Sequence, residues 1–193
     1  MYASARTVFR AAFAPRRLRD DEAGFRVVTR YGWVLIVVRW TYYSIVFQLR
    51  DYHGQWAPFI PPPFGMSVDA YAGLQRTLAL PFGIGLMILL AASLVMCLRF
   101  TGATARLPVT FNVLGAAFFL PFVLVQPVDQ VLIALDAWRL VPVTVIHTTV
   151  LVWESWAALA VLSTCYPMNR AGRLGGMVVA CGVWILVAGT FWR

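Results

Sequence analysis

The chain has 193 residues, of which 61% are hydrophobic and only 12% are charged. A soluble domain carries about 45–50% apolar and about 25% charged residues, so the composition excludes that class and predicts an all-α, polytopic integral membrane protein. The formal net charge is +8, but because it is distributed as a membrane topology requires, we expect no nucleic-acid partner.

Residues 1–26 are predicted to form a basic amphipathic arm on the cytoplasmic side. Val8, Phe9, Ala12 and Phe13 share one helical face, which favours a short interfacial helix in the headgroup region of an anionic leaflet. Pro15 is expected to end or bend this helix. The candidate anchors to the lipid headgroups are Arg6, Arg10, Arg16 and Arg17. The alternative is a partly disordered arm.

Residues 27–193 are predicted to form one domain of five transmembrane helices. Apolar stretches of about 20 residues, the length that crosses a bilayer, lie at about 27–49, 77–98, 107–125, 142–165 and 174–191. A long loop over about 50–76 contains Pro61, Pro62 and Pro63, which forbid a helix through them, although 68–80 could form a short helix. Pro108 suits the first turn of the third span, and Pro121 interrupts it.

Arginine placement predicts the orientation, because basic residues stay on the cytoplasmic side. In a five-span arrangement one side holds 11 arginines and 3 acids, and the other holds 4 of each. We therefore expect the N-terminus in the cytoplasm and the C-terminus outside, in a bacterial inner membrane.

Two formal charges fall in the middle of predicted spans, Arg39 in the first and Glu154 in the fourth. Unpaired charges there are costly. Counted at 1.5 Å per residue from the cytoplasmic ends, their depths are about 14 Å and about 18 Å, so we predict that they pair. A structural salt bridge is favoured over an ion, proton or lipid-headgroup site, because the other spans contribute few polar residues.

His147 lies near the outer end of the fourth span and is a possible polar or ligand site. Histidine is a common ligand of metals and haem, but no Cys/His cluster has metal-binding spacing. A hydrogen-bonded structural histidine is therefore favoured, and we expect neither metal nor cofactor.

Small residues recur at helical spacing in the fifth span and predict a close helix contact. Internal packing is favoured, and an intermolecular contact is the alternative. The residues concerned are Gly172, Gly176, Ala180 and Gly182.

The chain resembles the Yip1-domain family of five-helix membrane proteins along nearly its whole length. Three stretches carry the resemblance: VFRAAFAPRRL near the N-terminus, RFTGATARLPVTFNVLGAAFFLPFVL around the third span, and VWESWAALAVLSTCYPMNRAGRLGGMVVACGVW across the last two spans. The family contributes no catalytic residues, so the resemblance implies none here. Its eukaryotic members act in vesicle trafficking, and a prokaryotic-type member implies no such partner.

No nucleophile elbow, phosphate-binding loop or paired carboxylate site is present in the sequence. We therefore expect a non-enzymatic scaffold or accessory subunit of a larger membrane complex, with membrane-protein partners or self-association. The first alternative is a small transporter or lipid-handling protein using Arg39, Glu154 and His147. A weaker alternative is a pigment- or haem-associated subunit using His147.

Overall fold

The computed structural model describes residues 2–18, 20–52, 62–135, 137 and 140–188. Over these residues the protein is all-α, 89% helical and without strands. The α-helices of this part of the chain are α1 (Tyr2–Phe13), α2 (Glu22–Tyr52), α3 (Val68–Phe100), α4 (Leu107–Ala134), α5 (Leu140–Cys165) and α6 (Arg170–Val183). A 3-10 turn, Pro15–Leu18, links α1 to α2, and a π-helical turn, Trp184–Ala188, extends α6.

Local sequence explains where several helices begin and end. α1 ends two residues before Pro15, which cannot continue a helix. The Asp21 carboxylate accepts a hydrogen bond of 2.9 Å from the Gly24 amide and so caps α2. Asn169 does the same for α6, accepting from the Gly172 amide at 2.7 Å.

The helices pack around a core in which α2 lies along α4 and α4 lies along α5. α3 packs against α2 on one side and α6 on the other. Large side chains from three helices fill this core without solvent contact, among them Leu90, Leu94, Leu114, Phe118 and Leu162.

In the described part of the chain, four helical stretches are long and apolar enough to cross a membrane: Val68–Phe100, Leu107–Ala134, Val141–Cys165 and Arg170–Val187. They indicate an integral membrane protein. α2 is not in this set, although its 31 residues are long enough. Its middle, residues 39–44, reads RWTYYS and lowers its apolarity.

The helices extend beyond several of the predicted boundaries. The division between residues 26 and 27 falls inside α2, and the loop expected over 50–76 is shorter, because α2 reaches Tyr52 and α3 starts at Val68. Residues 68–80 do not form a separate helix but the first part of α3, which continues through Pro81.

The third and fifth predicted spans also differ from the helices observed. α4 continues to Ala134 through two prolines rather than ending near 125, since transmembrane helices tolerate proline where neighbouring groups satisfy the backbone. The final helix begins at Arg170, and residues 189–191 of the predicted fifth span lie outside the described residues.

Candidate functional site: a buried charge pair in the helix bundle

Arg39 and Glu154 meet in the centre of the bundle. The Arg39 Nη1 atom lies 2.8 Å from Glu154 Oε1, and it also donates a hydrogen bond of 2.8 Å to the backbone carbonyl of Phe118. The two side chains are only 4% and 2% exposed. One guanidinium therefore connects α2, α4 and α5 in a site with almost no solvent contact.

Aromatic rings surround the guanidinium. The Arg39 Cζ atom lies 4.9 Å from the ring centroid of Phe122, 5.4 Å from Trp184, 5.6 Å from Phe118 and 5.9 Å from Trp40. Rings at these distances attract a cation through their quadrupoles. The charge is thus balanced by one carboxylate and shielded by four rings, an arrangement that suits a permanent contact better than a charge that must exchange with solvent.

A glycine contact between α2 and α4 holds this pair in register. A Cβ atom built on Gly32 would lie 1.8 Å from the Asn112 carbonyl oxygen, and one built on Gly115 would lie 2.1 Å from the Gly32 carbonyl oxygen. The Asn112 side chain also accepts a hydrogen bond of 2.8 Å from the Trp33 amide. Arg39 follows Gly32 by two helical turns on α2. The close contact at Gly32 therefore determines which part of α4 the Arg39 side chain reaches.

Sequence reasoning missed the α2–α4 crossing. Its signal was a single glycine in each of two spans, with Asn112 one turn before Gly115. The predicted small-residue contact was placed only in the last span.

His147 pairs with Asp129, which lies between the third and fourth predicted spans. The His147 Nε2 atom lies 3.1 Å from Asp129 Oδ1, with the carboxylate side chain 4% exposed and the imidazole 38% exposed. The apolar spacing of Val128, Val131 and Leu132 was the signal that the helix continues past residue 125. Since Asp129 occupies Nε2, this nitrogen is not available to a metal or haem in this arrangement.

A second polar group sits one turn before Asp129. Gln126 is 6% exposed, and its amide nitrogen has no hydrogen-bond partner among the described residues. It lies with Val38, Tyr42 and Phe122 along an apolar groove between α2 and α4. The part of the bundle around Gln126, Asp129 and His147 is therefore more polar inside than the sequence predicts.

The small residues of α6 divide into two groups. Gly172, Gly176 and Ala180 are buried. A Cβ atom on Gly172 would lie 2.7 Å from Thr101 Oγ1, and one on Gly176 would lie 2.6 Å from Leu159 Cδ2, so these residues serve internal packing. A Cβ atom on Gly182 would meet nothing within 4 Å, and this glycine does not join the contact.

The N-terminal arm is docked on the bundle. Ala11 and Ala12 are 0% exposed, and the Ala12 carbonyl accepts a hydrogen bond of 3.0 Å from Trp153 Nε1. On the same helix Phe9 and Phe13 are exposed. Helix α1 therefore uses its small residues against the protein and leaves these two rings on the outside.

The arginines predicted as headgroup anchors have different surroundings. Arg10 pairs with Asp21 at 2.7 Å, whereas Arg6 and Arg17 are exposed. The Arg16 side chain lies outside the described part of the structure.

Tyr166, directly after the end of α5, contacts the backbone just before α4 begins. The Tyr166 hydroxyl oxygen accepts a hydrogen bond of 3.0 Å from the Arg106 amide. Burial raises the pKa of the Tyr166 phenol, so it stays neutral and keeps α4 and α5 together at this end.

Among the described residues, no group of three His, Cys, Asp or Glu side chains is arranged to hold a metal ion. Comparisons with protein families, with characterised proteins and with solved structures gave no significant match. The function must be argued from the geometry of the bundle alone.

Proposed function

We propose that this chain is a non-enzymatic integral membrane protein of the Yip1-like type that acts as a scaffold or accessory subunit of a larger membrane complex. In this proposal α2 is a fifth span, α1 lies at the cytoplasmic interface of a bacterial inner membrane, and the C-terminus is outside. The observation that carries the proposal is the Arg39–Glu154 pair, because a 2.8 Å contact this well buried holds helices together rather than passing a substrate.

The surroundings of α2 support its role as a span. Its charge faces the bundle and is neutralised there. The residues exposed near this depth include the apolar Val34, Val38 and Ile45, which are 40%, 48% and 51% exposed, beside Thr41 and Tyr42. A helix whose charged residue is buried and paired can expose its apolar residues to lipid.

The weak packing of α6 supports a partner. Only 17% of the apolar stretch in Arg170–Val187 is buried, against 44–61% in the other three membrane-length helices. Leu174 and Val178 on its outer face are 69% and 72% exposed. This face is where a membrane partner would gain most contact.

The test is extraction of the native membrane in a mild detergent, followed by size separation and mass spectrometry of whatever co-migrates. We expect stable co-migration with other subunits, reduced by Val178→Trp, which enlarges the free face of α6 without adding a charge. Val145→Trp on α5, where the parent residue is 61% exposed, is the matched control. Migration of the chain alone would refute the accessory role.

One observation favours a second function, a small transporter. Gln126, Asp129 and His147 place polar groups in the outer half of the bundle, and the imidazole is accessible. Intramembrane groups of this kind mark ion or proton pathways in transporters. A loss of ion or proton transport in the Asp129→Asn variant, measured in sealed vesicles, would support the transporter function over the scaffold.

A further inference from the structure

A groove of about 440 Å³ lies where the Pro15–Leu18 turn approaches α5 and α6. Apolar side chains from three segments line it, among them Phe13, Trp156 and Met177. Its polar lining comes from Ser163, Arg17 and Arg173. It is separate from the buried charge pair, and none of the proposed roles above uses it.

The groove changes from polar to apolar along α5. Ser163 is two residues from the end of that helix, and Trp156 is seven residues earlier, a distance of about 10 Å at 1.5 Å per residue. Arg173 lies in the first turns of α6, at the same end as Ser163. The groove therefore has a basic mouth near the helix ends and an aromatic wall farther along α5, where the Phe13 and Trp156 rings are partly exposed.

The positive charge at the mouth is not balanced by the protein. Within the described ranges Arg17 and Arg173 belong to none of the ion pairs, which involve Arg10, Arg26, Arg39 and His147. Arg173 also lies near the N-terminus of α6, where the helix dipole is positive and favours an anion. Two exposed guanidiniums in that field present an uncompensated site for negative charge.

We propose that this groove binds an anionic phospholipid, with the phosphate at Arg17 and Arg173 and the start of an acyl chain over Phe13, Trp156 and Met177. A lipid held there would contact the N-terminal arm, α5 and α6 at once and so fix the arm on the bundle. This inference goes beyond the scaffold role and does not depend on it, since it requires only that the protein lies in a membrane.

The experiment uses the full chain, purified in a neutral detergent and titrated with phosphatidylglycerol or phosphatidylcholine. Bound lipid is counted by native mass spectrometry, and the melting temperature is followed in parallel. We expect phosphatidylglycerol to bind and raise the melting temperature. The double variant Arg17→Gln/Arg173→Gln should weaken this binding about 30-fold, the factor for losing two charges near an anionic lipid.

Two further double variants serve as controls. Arg26→Gln/Arg30→Gln removes the same charge from exposed positions of α2 outside the groove and should bind as the parent chain does. Arg17→Lys/Arg173→Lys restores the charge and should recover most of the binding, which excludes a folding defect at these positions.

Three results would overturn the proposal. The first is equal binding of phosphatidylcholine, and the second is an equal loss in the α2 control. The third is a full rise in melting temperature with inorganic phosphate alone, which would assign the site to a free anion. Lipid binding with no co-migrating subunit would refute the scaffold role and leave this site intact.

Discussion

Replacing Glu154 by leucine tests the central pair most directly. Leucine nearly preserves the volume, so the variant removes the charge without a large cavity. It leaves the Arg39 guanidinium 4% exposed, with the Phe118 carbonyl as its one polar contact among the described residues. The four aromatic rings contact the guanidinium in the parent and in the variant alike, so they do not compensate for the loss of the carboxylate. Breaking a buried ion pair on one side costs about 3–5 kcal/mol, and we expect a loss of stability in that range.

The reverse single change, Arg39→Met, should cost less. A carboxylate can be neutralised by taking up a proton, whereas a guanidinium stays charged. The double variant, Arg39→Met with Glu154→Leu, should lie within about 1 kcal/mol of the parent or above it, because apolar pairs often replace buried ion pairs without loss.

The assay is unfolding of all four proteins in one detergent at fixed concentration, followed by circular dichroism. We expect the losses of stability to be strongly non-additive. Each single change leaves one member of the pair buried without its partner, whereas the double change removes both members. If the double variant loses the sum of the two single losses, the pair is not an energetic unit and the reasoning fails. An exchange of the two charges is a poorer test, because a carboxylate at position 39 would face the Phe118 carbonyl with no hydrogen to donate.

Further predictions concern packing and polarity away from this pair. Gly115→Ala should destabilise the bundle by about 1–3 kcal/mol through overpacking, since its Cβ would lie 2.1 Å from the Gly32 carbonyl oxygen; Gly182→Ala, where space is open, should cost nothing in the same melting experiment. Gln126→Leu should raise the stability by about 1–3 kcal/mol, because it removes a buried amide nitrogen that lacks a partner among the described residues. The exposed Gln130→Leu is its control, and an equal gain in both would contradict this account.

Sequence reasoning reached the charge pair for a physical reason. A lone carboxylate and a lone arginine in apolar spans each demand a partner, and the spans brought them to similar depths. The start of α4 at Leu107 and the end of α5 at Cys165 were also predictable, from the proline at position 108 and the proline and polar residues after Tyr166.

What escaped prediction depends on contacts between helices that are distant in sequence. The Gly32–Gly115 crossing requires knowing which faces of α2 and α4 meet, and neither helix has a repeated small-residue pattern. Asp129 falls beyond the third predicted span, which was expected to end near residue 125, whereas α4 continues through Pro127 to Ala134. The docking of the arm combines the burial of Ala11 and Ala12 with a hydrogen bond from Trp153 to the Ala12 carbonyl, and no side-chain pattern reveals a contact to the backbone.

The position of the pair has a consequence for how the bundle assembles. Arg39 and Glu154 are 115 residues apart, so α2 is synthesised long before its counter-charge exists. In the proposed five-span arrangement, α2 alone in lipid would carry an unpaired arginine in its polar middle. Its stable placement therefore requires α4 to supply the Phe118 carbonyl and α5 to supply the carboxylate. Because α2 also lies against α3 and α1, we expect that formation of the Arg39–Glu154 ion pair stabilises the packing of the N-terminal half of the chain as well as the C-terminal half.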